Sequence, residues 1–117
     1  MNHKYSVGKY VFMEHIFFHN GNAWNGYVSA HKITKLLGKM FDFNEEPCYE
    51  IDYAEGLASR IEIESNLFGS KKEAYNSILQ RMKHGKKLLN IQKERIESEI
   101  RELDENIKEV MEERDER

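Results

Sequence analysis

SKKEAYNSILQRMKHGKKLLNIQKERIESEIRELDENIKEVMEERDER, running from Ser70 to Arg117, is the stretch that decides the fold. It opens on a capping box. The Ser70 hydroxyl can accept the Glu73 backbone N–H, and the Glu73 side chain can reach back. No proline follows. Apolar residues then stand at Tyr75, Leu79, Met82, Leu89, Ile96, Ile100, Leu103, Ile107 and Val110, in steps that alternate between four and three. Lysines at 86 and 93 fill the two gaps. This is a heptad seam, with a at 79, 86, 93, 100 and 107 and d at 75, 82, 89, 96, 103 and 110. A helix of this length runs on the order of 70 Å at ~1.5 Å per residue. It cannot bury the seam on itself, so the spacing predicts a partner helix. The expected interface is Leu79, Met82, Leu89, Ile96, Ile100, Leu103, Ile107 and Val110.

Charge divides the same stretch. Residues 71–93 carry seven Lys or Arg and one Glu, whereas residues 94–117 carry five basic and eleven acidic residues. Base before acid opposes the helix dipole, so something other than intrinsic helix stability shaped the order. An antiparallel pair lays each basic half on the other's acidic half, and a parallel pair sets like charges together. His84-Gly85 is the weak point, since a helical glycine costs roughly 1 kcal/mol relative to alanine. No proline or second turn residue supports a break there, and a continuous helix is expected.

The whole chain has 117 residues, a net charge of −3 and a single cysteine, Cys48. That length allows one small domain, residues 1–69, before the helix of residues 70–117. A core of this size is marginal. The charge balance leaves no overall basic footprint for nucleic acid. One cysteine precludes an internal disulfide and fits a reducing compartment. Met1-Asn2-His3-Lys4 leads into no apolar leader, and no run approaches the ~18 apolar residues of a membrane span. A soluble, cytoplasmic protein is expected.

The first 69 residues read as short strands. Tyr10 to Met13 and Ile16 to His19 are good strand formers. Asn20-Gly21 asks for positive φ at both positions of a two-residue hairpin turn. Trp24 and a second turn signal, Asn25-Gly26, precede Tyr27-Val28-Ser29-Ala30. A long hairpin is expected over residues 10–34. Ile33 to Phe43 fits either a strand or a helical turn, and Asn44 to Pro47 reads as a loop. In Cys48 to Tyr53, Tyr49, Ile51 and Tyr53 share one face, and Cys48, Glu50 and Asp52 share the other. A return strand with Ile61 and Ile63 inward follows, and Leu67-Phe68 is expected to cover the open end of a small curled sheet or barrel.

Val7-Gly8-Lys9-Tyr10-Val11, Tyr49-Glu50-Ile51-Asp52-Tyr53 and Leu67-Phe68-Gly69-Ser70-Lys71-Lys72-Glu73-Ala74 together resemble small SH3-like barrel proteins of phages and prophages of Firmicutes, in which a barrel runs straight into a helix. The resemblance implies a fold class, α+β with a small SH3-like β-barrel followed by a long coiled-coil helix, and a mobile-element origin. It implies no activity.

Chemistry is sparse at this level. His15 and His19 lie about 13 Å apart on a strand, too far to share an ion. His3 and His31 have no ligand companions at a recognisable spacing, and Cys48 alone builds no zinc site. Glu50, Asp52, Glu62 and Glu64 are expected on solvent-facing strand positions. No P-loop, GxGxxG or GxSxG is present, so no enzyme, cofactor or metal is expected. Aromatic side chains are concentrated before residue 69, as suits a barrel that binds peptides through exposed rings. Trp24, Tyr27, Tyr49 and Tyr53 are the candidate partner-binding residues there, with Trp24 the one expected to be exposed. Arg81, Lys83, Lys86 and Lys87 are the candidates on the basic half of the helix. The leading reading is a non-catalytic interaction protein that self-associates through its helix and contacts a further, unidentified protein. Nucleic-acid binding through the basic half, and inhibition of a host nuclease through the acidic half, are the alternatives.

Overall fold

The computed structural model describes residues 2–40 and 45–116. The chain is α+β: a four-stranded antiparallel sheet followed by one long C-terminal helix. The strands are β1 (Tyr10–His19), β2 (Asn22–Leu37), β3 (Cys48–Tyr53) and β4 (Ala58–Ile63), and the helix is α1 (Lys71–Asp115). Two compact units are distinguished, one ending at Met82 and one beginning at Lys83, so the first turns of α1 belong with the sheet.

The strands are paired in the order β1-β2-β3-β4. Asn20 and Gly21 take φ values of 49° and 79°, the positive pair that a two-residue hairpin turn requires. The hairpin register then slips between Phe17 and Phe18: Phe18 faces Ala23, but Phe17 faces Asn25. Trp24 is the extra residue of this bulge. A second irregularity at Thr34 lets β2 pass from β1 to β3, where Ile33 pairs with Ile51 and Leu37 with Cys48. The ambiguous segment is therefore strand as far as Leu37, and residues 41–44 lie outside the described residues. Asn25-Gly26 is no turn: both residues lie within β2.

Gly26 is needed for close packing. A Cβ placed there would stand 2.6 Å from the His15 carbonyl oxygen and 3.0 Å from Cγ2 of Ile78 on α1. The backbone oxygen cannot give way. Gly26→Ala is expected to cost about 1–3 kcal/mol as overpacking, seen as a lowered melting temperature.

The core comprises Tyr5, Val11, Met13, Ile33, Tyr49, Ile51 and Leu67. Ala74 and Ile78 of α1 are buried as well. The segment before β1 is tied down by Gly8 N–H to Ile33 C=O and Ile33 N–H to Lys9 C=O. After β4, a 3-10 turn at Glu64–Asn66 leads to Phe68, which exchanges two backbone hydrogen bonds with Phe12. No pairing of β4 with β1 closes the sheet into a barrel among the described residues. Leu67 enters the core, while Phe68 is half-buried.

Two expectations for β3 and β4 are reversed. Tyr49 is wholly buried and is no partner-binding ring. A core this small recruits its largest side chain, and the Tyr49 hydroxyl is satisfied by donating to the Glu64 carboxylate. On β4, Ile61 faces out and Glu62 faces in. The buried Glu62 carboxylate is met by Arg60 Nε at 3.0 Å and by Asn66 Nδ2 at 2.8 Å. Such partners make an inward carboxylate tolerable.

Tyr49 also predicts an alkaline limit. Burial, and then the bond to Glu64, push its hydroxyl from 10 up to about 12. The unfolded chain ionises first. This contribution is therefore complete below pH 10 and is lost as the pH rises to about 12. It amounts to on the order of 2 kcal/mol. Urea midpoints in this window should fall more steeply for the natural chain than for Tyr49→Phe.

The second unit is the remainder of α1. The helix runs unbroken through Gly85. Half of the expected capping box is formed: Glu73 N–H donates to Ser70 Oγ at 3.1 Å, and among the described residues the Glu73 carboxylate makes no return bond to the Ser70 backbone. Leu89, Ile96, Ile100, Leu103, Ile107 and Val110 are 40–65% exposed. No helix among the described residues is long and apolar enough to cross a membrane.

Candidate functional site

The bulge at Trp24 sets which β1 residues meet which β2 residues. Beyond it, Val11 faces His31, Met13 faces Ser29 and His15 faces Tyr27. Opposite residues of an antiparallel pair share a face, so His15, Ser29 and His31 come together on one side of the hairpin. His15 Nε2 lies 2.6 Å from Ser29 Oγ, and Ser29 Oγ lies 2.6 Å from His31 Nε2. His31 Nδ1 lies 2.7 Å from the backbone oxygen of Asp52.

The partners dictate the protons. A carbonyl only accepts, so His31 carries its proton on Nδ1 and donates it to Asp52. In its neutral form His31 then accepts the Ser29 O–H at Nε2, which leaves Ser29 Oγ to accept from His15 Nε2–H. The Asp52 carboxylate is occupied by the Lys32 N–H at 2.7 Å, and its Oδ1 stands 4.0 Å from His31 Nδ1. His31 is buried, while Ser29 and His15 are half-buried. The pKa of His15 lies below the ordinary value, first through burial, then through repulsion by His31 in its protonated form and by Arg60. Both imidazoles are held in place by aromatic stacking. Tyr27 lies 4.5 Å from His15 between ring centroids, and Tyr53 lies 5.9 Å from His31. A cavity of about 280 Å³ opens beside Ser29, walled by Tyr27 and Tyr53.

A second cavity, of about 360 Å³, is bordered by Glu14, His15, Arg60, Glu62 and Arg81. Arg81 of α1 bonds Glu14 Oε1 at 3.0 Å, while Glu14 Oε2 is buried with no hydrogen-bond partner among the described residues. Arg81 is thus already engaged by a carboxylate. Lys83, Lys86 and Lys87 are exposed on α1.

Of the predicted rings, Trp24, Tyr27 and Tyr53 are exposed, and Phe17 and Phe18 join them at the hairpin end. Trp24 rests on His19 at 4.7 Å between centroids. Sequence reasoning passed over the His15–Ser29–His31 chain. A hairpin without a bulge would set His15 opposite Gly26 and send Ser29 and His31 to the other face; only the slipped register unites them. No three His, Cys, Asp or Glu side chains among the described residues are grouped to hold a metal ion. Compared with known proteins, the chain matches no family model, no curated protein and no solved structure.

Proposed function

We propose that this is an interaction protein that self-associates through α1 and presents the aromatic face of its small β unit to a second protein. The observation that carries this reading is the row of six large apolar side chains from Leu89 to Val110, each at least 40% exposed on one seam. Burying each Leu or Ile is worth roughly 1.5–3 kcal/mol. These side chains are about half exposed in one copy, so two copies together gain on the order of 10–20 kcal/mol gross, against association costs of ~4–15 kcal/mol. The finer fold reading is an SH3-like barrel of the phage type, with Leu67-Phe68 acting as a short fifth strand. The 3-10 turn and the paired Phe12–Phe68 bonds support it.

Nucleic-acid binding has less support, because Arg81 is committed to Glu14. The acidic half, whose carboxylates all face solvent, favours a basic protein as the second partner. Sedimentation of the full chain over a range of concentrations tests self-association. A monomer mass throughout would overturn the reading.

A further inference from the structure

The cluster on the hairpin face has the parts of a nucleophilic site. We propose that Ser29 is an activated nucleophile that attacks small acyl esters and related electrophiles, with His31 as its general base. The signature of such a site is a hydroxyl within hydrogen-bond reach of a base that a third group orients. Here the hydroxyl–base distance is 2.6 Å, and the base is oriented by the Asp52 carbonyl at 2.7 Å. That carbonyl fixes the tautomer with the Nε2 lone pair towards Ser29, as proton removal requires. The cavity between Tyr27 and Tyr53 reaches Ser29 and admits a small acyl group.

His15 completes the arrangement. Its Nε2–H lies 2.6 Å from the hydroxyl oxygen. When Ser29 Oγ bonds to an acyl carbon, the carbonyl oxygen becomes an oxyanion beside that oxygen, within reach of the same N–H. A donor placed where charge develops stabilises the transition state. Burial lowers the pKa of His15, which favours the neutral ring as the donor from Nε2.

The steps balance. Ser29 Oγ forms a bond to the acyl carbon as its proton passes to His31 Nε2. The bond from carbon to the leaving oxygen breaks, and His31 returns the proton to the departing alkoxide. Water then attacks the acyl-serine, giving up a proton to His31. The carboxylic acid leaves and the proton returns to Ser29. With a fluorophosphonate, Oγ bonds to phosphorus, fluoride departs, the His31 proton passes to solvent, and the adduct remains.

This inference goes beyond the interaction reading and does not rest on it. The test uses the full-length chain with a fluorophosphonate probe, read by intact mass and peptide mapping. One adduct on Ser29 is expected, absent from Ser29→Ala and from urea-unfolded protein. Circular dichroism should show His31→Gln and His15→Gln to be folded. His31→Gln is expected to slow labelling at least ~100-fold, the scale of general-base catalysis, and His15→Gln to slow it at least ~10-fold. His15→Gln also guards against loss of folding in the buried His31 variant. No labelling of the folded natural chain, labelling elsewhere, or labelling indifferent to both histidines would overturn the proposal and leave the cluster a structural hydrogen-bond chain.

Discussion

A chain shortened to end at Gly69 is expected to lose its cooperative melting transition, whereas one ending at His84 keeps it. The reason lies in what the first turns of α1 bury. Ile78 is buried against Gly26, and Ala74 is buried one turn earlier. Removing Ile78 alone forfeits roughly 1.5–3 kcal/mol of apolar burial. The ion pair from Arg81 to Glu14 goes with the helix, and the apolar surface beneath Ala74 and Ile78 is opened to water. A small domain has a total stability of only about 5–15 kcal/mol, so the combined loss is a large part of the whole. Circular dichroism at a β-sheet wavelength during heating reads the outcome. Equal melting temperatures for the two shortened chains would show that the sheet stands without the helix.

The same region shows why some features were legible and others were not. The helix and its cap are local: a 3.6-residue periodicity and one serine at the right offset suffice. The Asn20-Gly21 turn is equally local, because positive φ is a property of those two residues. The inward face of β4 was not legible. Alternation points Ile61 and Ile63 inward, yet Glu62 is buried because Arg60 and Asn66 are placed to satisfy it. Nothing in the spacing of those residues announces that arrangement. Tyr49 was misread for a similar reason: its burial depends on Tyr5 and Glu64, distant in sequence. The His15–Ser29–His31 cluster depends on a single extra residue in the hairpin, and a one-residue slip changes the face of every side chain beyond it.

Ile100→Glu with Leu103→Glu is expected to convert the associated protein into a monomer. Both side chains lie on the exposed seam, with 54% and 58% of their surface accessible in one copy. In an associated pair the double substitution sets four carboxylates into the apolar layer, where unpaired charge is strongly unfavourable. Dissociation should strengthen at least ~1,000-fold, about 4 kcal/mol. Ser98→Glu with Arg101→Glu adds more negative charge on outward positions and should leave the association largely intact. Light scattering distinguishes the two, and an unchanged mass for the seam variant would end the argument for this interface. The direction of pairing follows from two opposed effects. The basic and acidic halves favour antiparallel helices, but that attraction is exposed and weakened by salt. Apolar burial is screened less, and the longest apolar run, Ile96 to Val110, lies in the acidic half. An antiparallel overlap of Leu89 to Val110 upon itself keeps the apolar layers in register and still brings flanking charges of opposite sign together. In a Cys48→Ser background, cysteines at Leu89 and Val110 should link to each other across the pair, and a cysteine at Glu116 should not link to its own copy. Ready linkage at 116, without linkage between 89 and 110, would mean that packing has set the helices parallel despite their charge.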